Sequence, residues 1–310
     1  MSRAIALLAA AWLMAGCAAV GTAPASPSVS SAPVSSAPVS ASPVAPPALA
    51  SAMASPAATA SAAATAEART VDIGGRSLHI ECQGSGSPTV ILEAGLTGDH
   101  RTWERVAPAL AERVRVCAYD RANVAPSDPA PTPRTAQHVV DDLAALLAAS
   151  GEEAPFVLVG FSFGGLTSQL YAAAHPDDVA GLVLVESNHP DEVDDFWEHL
   201  TPAQIEEDRA FMRDNPEGID LEASFEQAQA AADLPEVPLV VVTAGISEGW
   251  PEEWGDPAVF DGIRAGHQED LASRVPGGVQ LIAESSTHHV PSQEPDVIIE
   301  AVEQVLDQLP

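Results

Sequence analysis

Apolar and polar positions change their period along this chain, and the changes divide it into elements. Short apolar or alternating runs at 70–73, 77–82, 89–93 and 113–119 predict four strands, the first two joined by a hairpin turn at Gly74-Gly75. A helix-like stretch at 103–112 separates the third from the fourth. Residues 135–149 carry apolar side chains at helical spacing, with Thr135 placed to cap the start and Gly151 to stop it. A fifth strand at 155–159 runs into Gly160, and a helix from Gly164 to about His175 follows. Strands at 181–185, 239–243 and 279–282 and a last helix at 295–308 complete the series. Strands that alternate with helices predict an α/β fold, a mostly parallel sheet covered by helices on both faces.

One turn in this series carries chemistry. Gly160-Phe161-Ser162-Phe163-Gly164-Gly165 stands between an apolar strand and a helix. In a G-x-S-x-G arrangement the glycines permit a tight strand-to-helix turn. That turn lifts the serine hydroxyl clear of the backbone and aims the N-terminal N–H groups of the helix at it. Such a serine suits nucleophilic attack on a carbonyl, provided a base lies within hydrogen-bond reach.

Residues ahead of the first strand are of another kind. One arginine, an apolar run too short to span a bilayer, and Gly16-Cys17 read as a signal peptide over 1–16. Met14-Ala15-Gly16-Cys17 resembles the bacterial lipobox, which implies lipidation of Cys17. Residues 17–67 are Ala, Pro, Ser and Val with scarcely a charge, a composition that cannot bury a core and suits a semi-rigid tether. The catalytic domain is therefore expected at 68–310, in a protein exported and lipid-anchored at the cell envelope, facing outside the cytoplasm.

Charge and cysteine content narrow the function. A formal net charge of -31, with all 13 basic residues arginine, argues against nucleic acid or an anionic membrane surface as a partner, because phosphate binding needs clustered cations. Neither H-E-x-x-H nor C-x-x-C occurs, so no metal site and no cofactor are expected.

The order of elements, with the serine after the fifth strand, resembles the α/β-hydrolase fold across 70–310. Glu93-Ala94-Gly95-Leu96 sits where that family has its His-Gly oxyanion loop, Ala94 replacing the histidine. Cys117-Ala118-Tyr119-Asp120-Arg121-Ala122 looks like the family's Y-D-R-x-G segment, with Asn123-Val124-Ala125 where a glycine-rich turn is usual. The resemblance implies a helical cap inserted after the sixth strand, at about 188–234, in which Trp197, Leu200, Ile205, Phe211 and Met212 supply a buried face. It implies His288 as the base, since the spacing from His288 to Pro295 fits the family pattern better than that from His289. It also implies the Phe163 and Leu96 N–H groups as oxyanion donors. The orienting acid is expected to be Glu186, which directly follows the sixth strand, with Glu248, after the seventh, as the alternative. In this order the second strand neighbours the fourth, so Cys82 and Cys117, the two cysteines left once Cys17 is assigned, are expected to pair as a disulfide.

The expected function is a serine hydrolase that cleaves a carboxylic ester or related acyl bond through an acyl-enzyme. Relatives that dehalogenate or open epoxides use an aspartate nucleophile, which Ser162 argues against. An aminopeptidase of the proline iminopeptidase type and an acyltransferase use the same parts, and a non-enzymatic surface lipoprotein would use only the fold. The acidic insertion favours a neutral or cationic small-molecule substrate. For the anchor, Cys17→Ser is expected to move the protein from the membrane fraction to the soluble one; a variant still membrane-bound at unchanged mature mass would exclude lipidation.

Overall fold

Eight strands form one sheet in the order β1-β2-β4-β3-β5-β6-β7-β8. The computed structural model describes residues 66–310; the signal peptide expected at 1–16, Cys17 and nearly all of the tether expected at 17–67 lie outside the described residues. The strands are β1 (Glu67–Asp72), β2 (Ser77–Gln83), β3 (Thr89–Glu93), β4 (Val116–Tyr119), β5 (Phe156–Phe161), β6 (Val179–Val185), β7 (Leu239–Ala244) and β8 (Val279–Ala283). β2 runs antiparallel to both β1 and β4, and every other pairing is parallel. Strands β3 and β5 are buried along their whole length. That is why they read as continuous apolar runs, while the edge strand β1 alternates between exposed and half-buried positions.

Period-two alternation sends the strand side chains into two cores. Ile91, Leu158 and Leu182 pack on one face with Leu143, Leu146 and Leu166 from two helices, α2 (Ala136–Ser150) and α3 (Phe163–Ala174). Val90, Val157, Val159 and Val183 face the other way. They meet Leu110 of α1 (Ala107–Leu110) and Ile298, Val302 and Val305 of the last helix, α8 (Pro295–Asp307). Helix α2 starts and stops where its sequence indicates: Thr135 N–H donates to His138 Nδ1 across a capping box, and Gly151 takes φ 75°.

β1 begins at Glu67 rather than at 70, one residue inside the range expected for the tether, and two further elements also differ from the sequence reading. β4 begins at Val116 rather than at 113, because Arg113 and Val114 N–H groups turn back to the Leu110 carbonyl at 3.0 and 3.1 Å and close helix α1. The predicted helix at 103–112 is a 3-10 turn, His100–Trp103, and the short α1, which has proline in its first turn. A 17-residue helix, α7 (Pro257–Ser273), stands unpredicted between β7 and β8. Gly262 and Gly266 interrupt it, and its buried apolar positions are few, so its helical period is faint. The insertion after β6 holds three helices, α4 (Glu192–Trp197), α5 (Pro202–Arg213) and α6 (Leu221–Gln229).

Cys82 and Cys117 lie directly opposite each other on β2 and β4, with Cα atoms 4.1 Å apart, and are joined as a disulfide. The bond ties the antiparallel edge hairpin to the parallel sheet. Closing a loop of 35 residues limits the unfolded chain and stabilises the fold by roughly 3 to 4 kcal/mol. Thiol titration of the denatured, unreduced protein is expected to find neither cysteine reactive, and Cys82→Ala/Cys117→Ala to lower the unfolding free energy by about 3 kcal/mol. Two reactive thiols would exclude the bond.

Candidate active site

Ser162 directly follows β5 with φ 54° and ψ -121°, outside the regions a side-chain-bearing residue prefers. Strain of this kind costs about 1 to 3 kcal/mol and persists only where surrounding bonds hold it. Ser162 N–H donates to the Val185 carbonyl at 3.0 Å. Its own carbonyl accepts from Gly165 N–H at 2.8 Å and Asn188 N–H at 3.2 Å. The glycines are there because nothing larger fits: a Cβ on Gly160 would lie 2.3 Å from the Gly164 carbonyl, and one on Gly164 2.4 Å from those of Glu93 and Ala94. Helix α3 starts at Phe163, so its N-terminal end adjoins the serine.

Glu186 follows β6 at φ 45° and is 1% exposed. Its backbone N–H donates to the Val242 carbonyl and its Oε1 accepts from Ala244 N–H, each at 2.7 Å, so β7 fixes both ends of the residue. His288 Nδ1 lies 3.1 Å from Glu186 Oε2. Arg264, on α7, donates from Nη2 to the same oxygen, and that nitrogen is 3.1 Å from His288 Nδ1. Burial first, and then the Arg264 and His289 charges, hold the His288 imidazole well below its usual range, with Glu248 acting in the opposite sense. Burial also pulls the Arg264 guanidinium down to about 10.

Glu248 belongs to a different contact. It accepts from the Thr287 hydroxyl and stands 4.0 Å from His289 Nε2, so of the two candidate acids it is Glu186 that contacts the His288 ring nitrogen. Ser162 and His288 line one cavity of ≈ 90 Å³, which the cap and α7 close over. Phe211 and Met212 line it as well, whereas Trp197, Leu200 and Ile205 pack against Phe196 and Phe260. Two carboxyls, Glu192 and Asp208, also reach the wall, and burial raises both, Glu192 to about 7.

Leu96 lies in the loop after β3, and a Cβ on Gly95 would be 3.3 Å from the Ser162 Cβ, so that loop runs against the elbow. Asn123, at the family's glycine position, adopts φ 72°, which asparagine tolerates better than most residues. The sequence reading did not single out Arg264 or the cap residue Glu217. Arg264 sits on the helix whose period was faint, and Glu217 is one acid among many in an acidic insertion. Among the described residues, His79, His100 and Asp120 are of metal-ligand types. His100 Nδ1 hydrogen-bonds Asp120 Oδ2 at 2.9 Å and Oδ1 accepts His100 N–H at 2.7 Å, whereas His79 Nδ1, also 2.9 Å from Oδ2, lacks hydrogen-bond geometry.

A profile described as the alpha/beta hydrolase fold matches residues 88–239, from the start of β3 past the elbow and through the cap. The chain belongs to the α/β-hydrolase superfamily. Lipase LipV of Mycobacterium tuberculosis is 40% identical over 110 residues, which are 35% of this chain and 41% of that protein. The uncharacterized protein YqjL of Bacillus subtilis is 29% identical over 119 residues, 38% of this chain and 47% of its own. The chain thus spans less than half the length of these curated relatives. The enol-lactonase of Burkholderia xenovorans LB400 superposes with a TM-score of 0.55 at 22% identity, over 77% of this chain and 100% of that one. A thermophilic esterase of Thermogutta terrifontis gives 0.52 at 22% identity, over 78% and 98%. Both likenesses concern the fold.

In this α/β-hydrolase the His288 ring is expected to titrate below pH 6.5, the ordinary histidine value, because a buried imidazole beside a guanidinium disfavours a second positive charge. Imidazole NMR titration checks this. Arg264→Gln should move the midpoint upward; an unmoved midpoint would mean that Arg264 does not act on the ring.

Proposed function

We propose that the protein is a serine hydrolase that cleaves a carboxylic ester or related acyl bond through an acyl-enzyme at Ser162. The observation that carries this reading is the 3.1 Å approach of His288 Nδ1 to Glu186 Oε2, beside a cavity that Ser162 and His288 both line. With Nδ1–H donating to Glu186, Nε2 is left as the acceptor. Ser162 Oγ attacks the carbonyl carbon and its proton passes to Nε2. The oxyanion of the tetrahedral intermediate is met by the Phe163 and Leu96 N–H groups. Collapse breaks the ester bond, and the alcohol leaves with the proton from His288. Water, deprotonated in turn by His288, attacks the acyl-enzyme and releases the carboxylic acid. Glu186 keeps the ring in the productive tautomer and stabilises its charged form.

Glu192 and Asp208 in the cavity wall support a neutral or cationic substrate. Arg264 lines the same cavity, but its guanidinium is engaged by Glu186. The signal peptide, lipobox and tether support a lipid-anchored enzyme outside the cytoplasm, and the disulfide fits an oxidising compartment.

Labelling by a fluorophosphonate probe together with ester kinetics tests the reading. Ser162→Ala should abolish both, and His288→Ala should cost far more than His289→Ala. Glu186→Gln should lower turnover on the order of 10³- to 10⁴-fold with little change in KM, while Glu248→Gln stays near wild type. In the same assay, neutral and cationic esters should be cleaved faster than carboxylate-bearing ones. The opposite order of the two glutamine variants would assign the acid to Glu248, and an unlabelled, inactive wild type would overturn the acyl-enzyme.

A further inference from the structure

Arg121 is the buried centre of a charge cluster to which the reaction scheme assigns no part. It is 4% exposed, and all five of its N–H donors have acceptors. Nε and Nη2 donate to the two carboxylate oxygens of Glu217 at 2.8 and 2.7 Å. Nη1 donates to Glu93 Oε1 at 2.7 Å and to the Ala94 carbonyl at 2.5 Å, and Nη2 also donates to the Gly95 carbonyl at 2.5 Å. Glu217, 1% exposed, lies in the cap between α5 and α6, and its Oε1 accepts in addition from Thr97 N–H. The cap residue therefore grips the loop after β3 twice, once directly at Thr97 and once through Arg121.

The two carbonyls that Arg121 holds belong to the candidate oxyanion loop. A trans peptide points its C=O and N–H to opposite sides. Fixing the Gly95 carbonyl on Arg121 therefore turns the Leu96 N–H away from the guanidinium. Gly95 itself lies against Ser162, its Cβ position 3.3 Å from the serine Cβ. A lysine could not do this work, having three donors and no planar fork to spread over two carboxylates and two carbonyls. A buried ion pair is weak evidence of a stabilising role, since apolar side chains of similar volume often replace one without loss.

We propose that Arg121, locked in place by Glu217 of the cap, is a positioning residue that holds the Leu96 N–H toward the oxyanion formed at Ser162. This rests on the acyl-enzyme reading above. The cap insertion then contributes to the chemical step as well as to the cavity wall, because Glu217 fixes the group that orients the donor.

The test uses the full-length protein, a short-chain 4-nitrophenyl ester and an alkyl boronic acid, whose serine adduct mimics the tetrahedral intermediate. Glu217→Gln is expected to lower kcat about 10- to 100-fold with KM nearly unchanged, the size of effect that a displaced oxyanion donor gives. Boronate inhibition should weaken by a similar factor. Arg121→Met/Glu217→Leu, an apolar replacement of the pair, should keep a cooperative thermal transition and show the same loss. In the wild type the Leu96 amide resonance should shift when the boronate binds. A folded variant of either kind with wild-type kcat and boronate affinity would overturn the positioning role, and so would an unmoved Leu96 amide in a boronate-saturated wild type. A wild type that the fluorophosphonate probe fails to label would instead remove the acyl-enzyme reading on which the role rests.

Discussion

The close approach of helix α3 to strands β3 and β5 is the constraint from which the rest of the site follows. Gly160 and Gly164 let backbone meet backbone where a single methyl group would collide with carbonyl oxygens at 2.3 and 2.4 Å. At that separation the chain can turn from strand to helix within one residue, and Ser162 takes the strained conformation that the turn requires. The same approach brings the loop after β3 against the serine. Ser162 and the loop after β3 are thus placed by one packing contact, and loosening it would displace both.

Arginines inside the fold explain how so acidic a chain builds a site. With 13 basic residues against 44 acidic ones, the charge on the surface is overwhelmingly negative. Several of the arginines are turned inward, where they hold carboxylates, two of them from elements far apart in sequence. Arg121 joins Glu93 and Glu217, Arg134 meets Asp142, and Arg264 meets Glu186. Such pairs lose much of their attraction to desolvation, so their value lies in geometry more than in stability. Around Glu186 the arrangement is electrostatic as well: burial and the guanidinium beside His288 oppose protonation of the ring and favour its neutral form.

The parallel sheet and the cap divide the remaining tasks. The carboxyl ends of β5 and β6 carry Ser162 and Glu186, each continuing its strand into a positive-φ residue. His288 follows β8 and reaches Glu186 across β7. The cap, the segment between β7 and α7, and α7 supply the cavity wall, apolar in Phe211, Met212 and Trp250 and acidic in Glu192 and Asp208. Burial raises both carboxyls, Glu192 to about 7.

The alternation of short apolar runs with helical stretches determined the series of elements and the elbow at Ser162, because each depends on residues close together in sequence, while the sheet order and the place of His288 came from the resemblance to the α/β-hydrolase fold. Gly160, Gly164 and Gly165 state their steric purpose in a motif of six residues. The Cys82–Cys117 pairing needed only the strand order besides, since directly opposed residues on neighbouring strands lie within reach of a disulfide. The sequence left Glu186 and Glu248 open, since both follow strands that end at the same edge, and only the folded chain shows which carboxylate meets the ring nitrogen. Helix α7 escaped the reading because glycines blur its period, and Arg264 went with it. Glu217 was hidden for another reason. In an insertion crowded with Asp and Glu, nothing local separates a solvated carboxylate from one that will be buried on Arg121, 96 residues earlier in the chain. Burial and partnership across such a distance are decided by tertiary packing, which brings the cap loop down on the sheet and makes one acid differ from its neighbours.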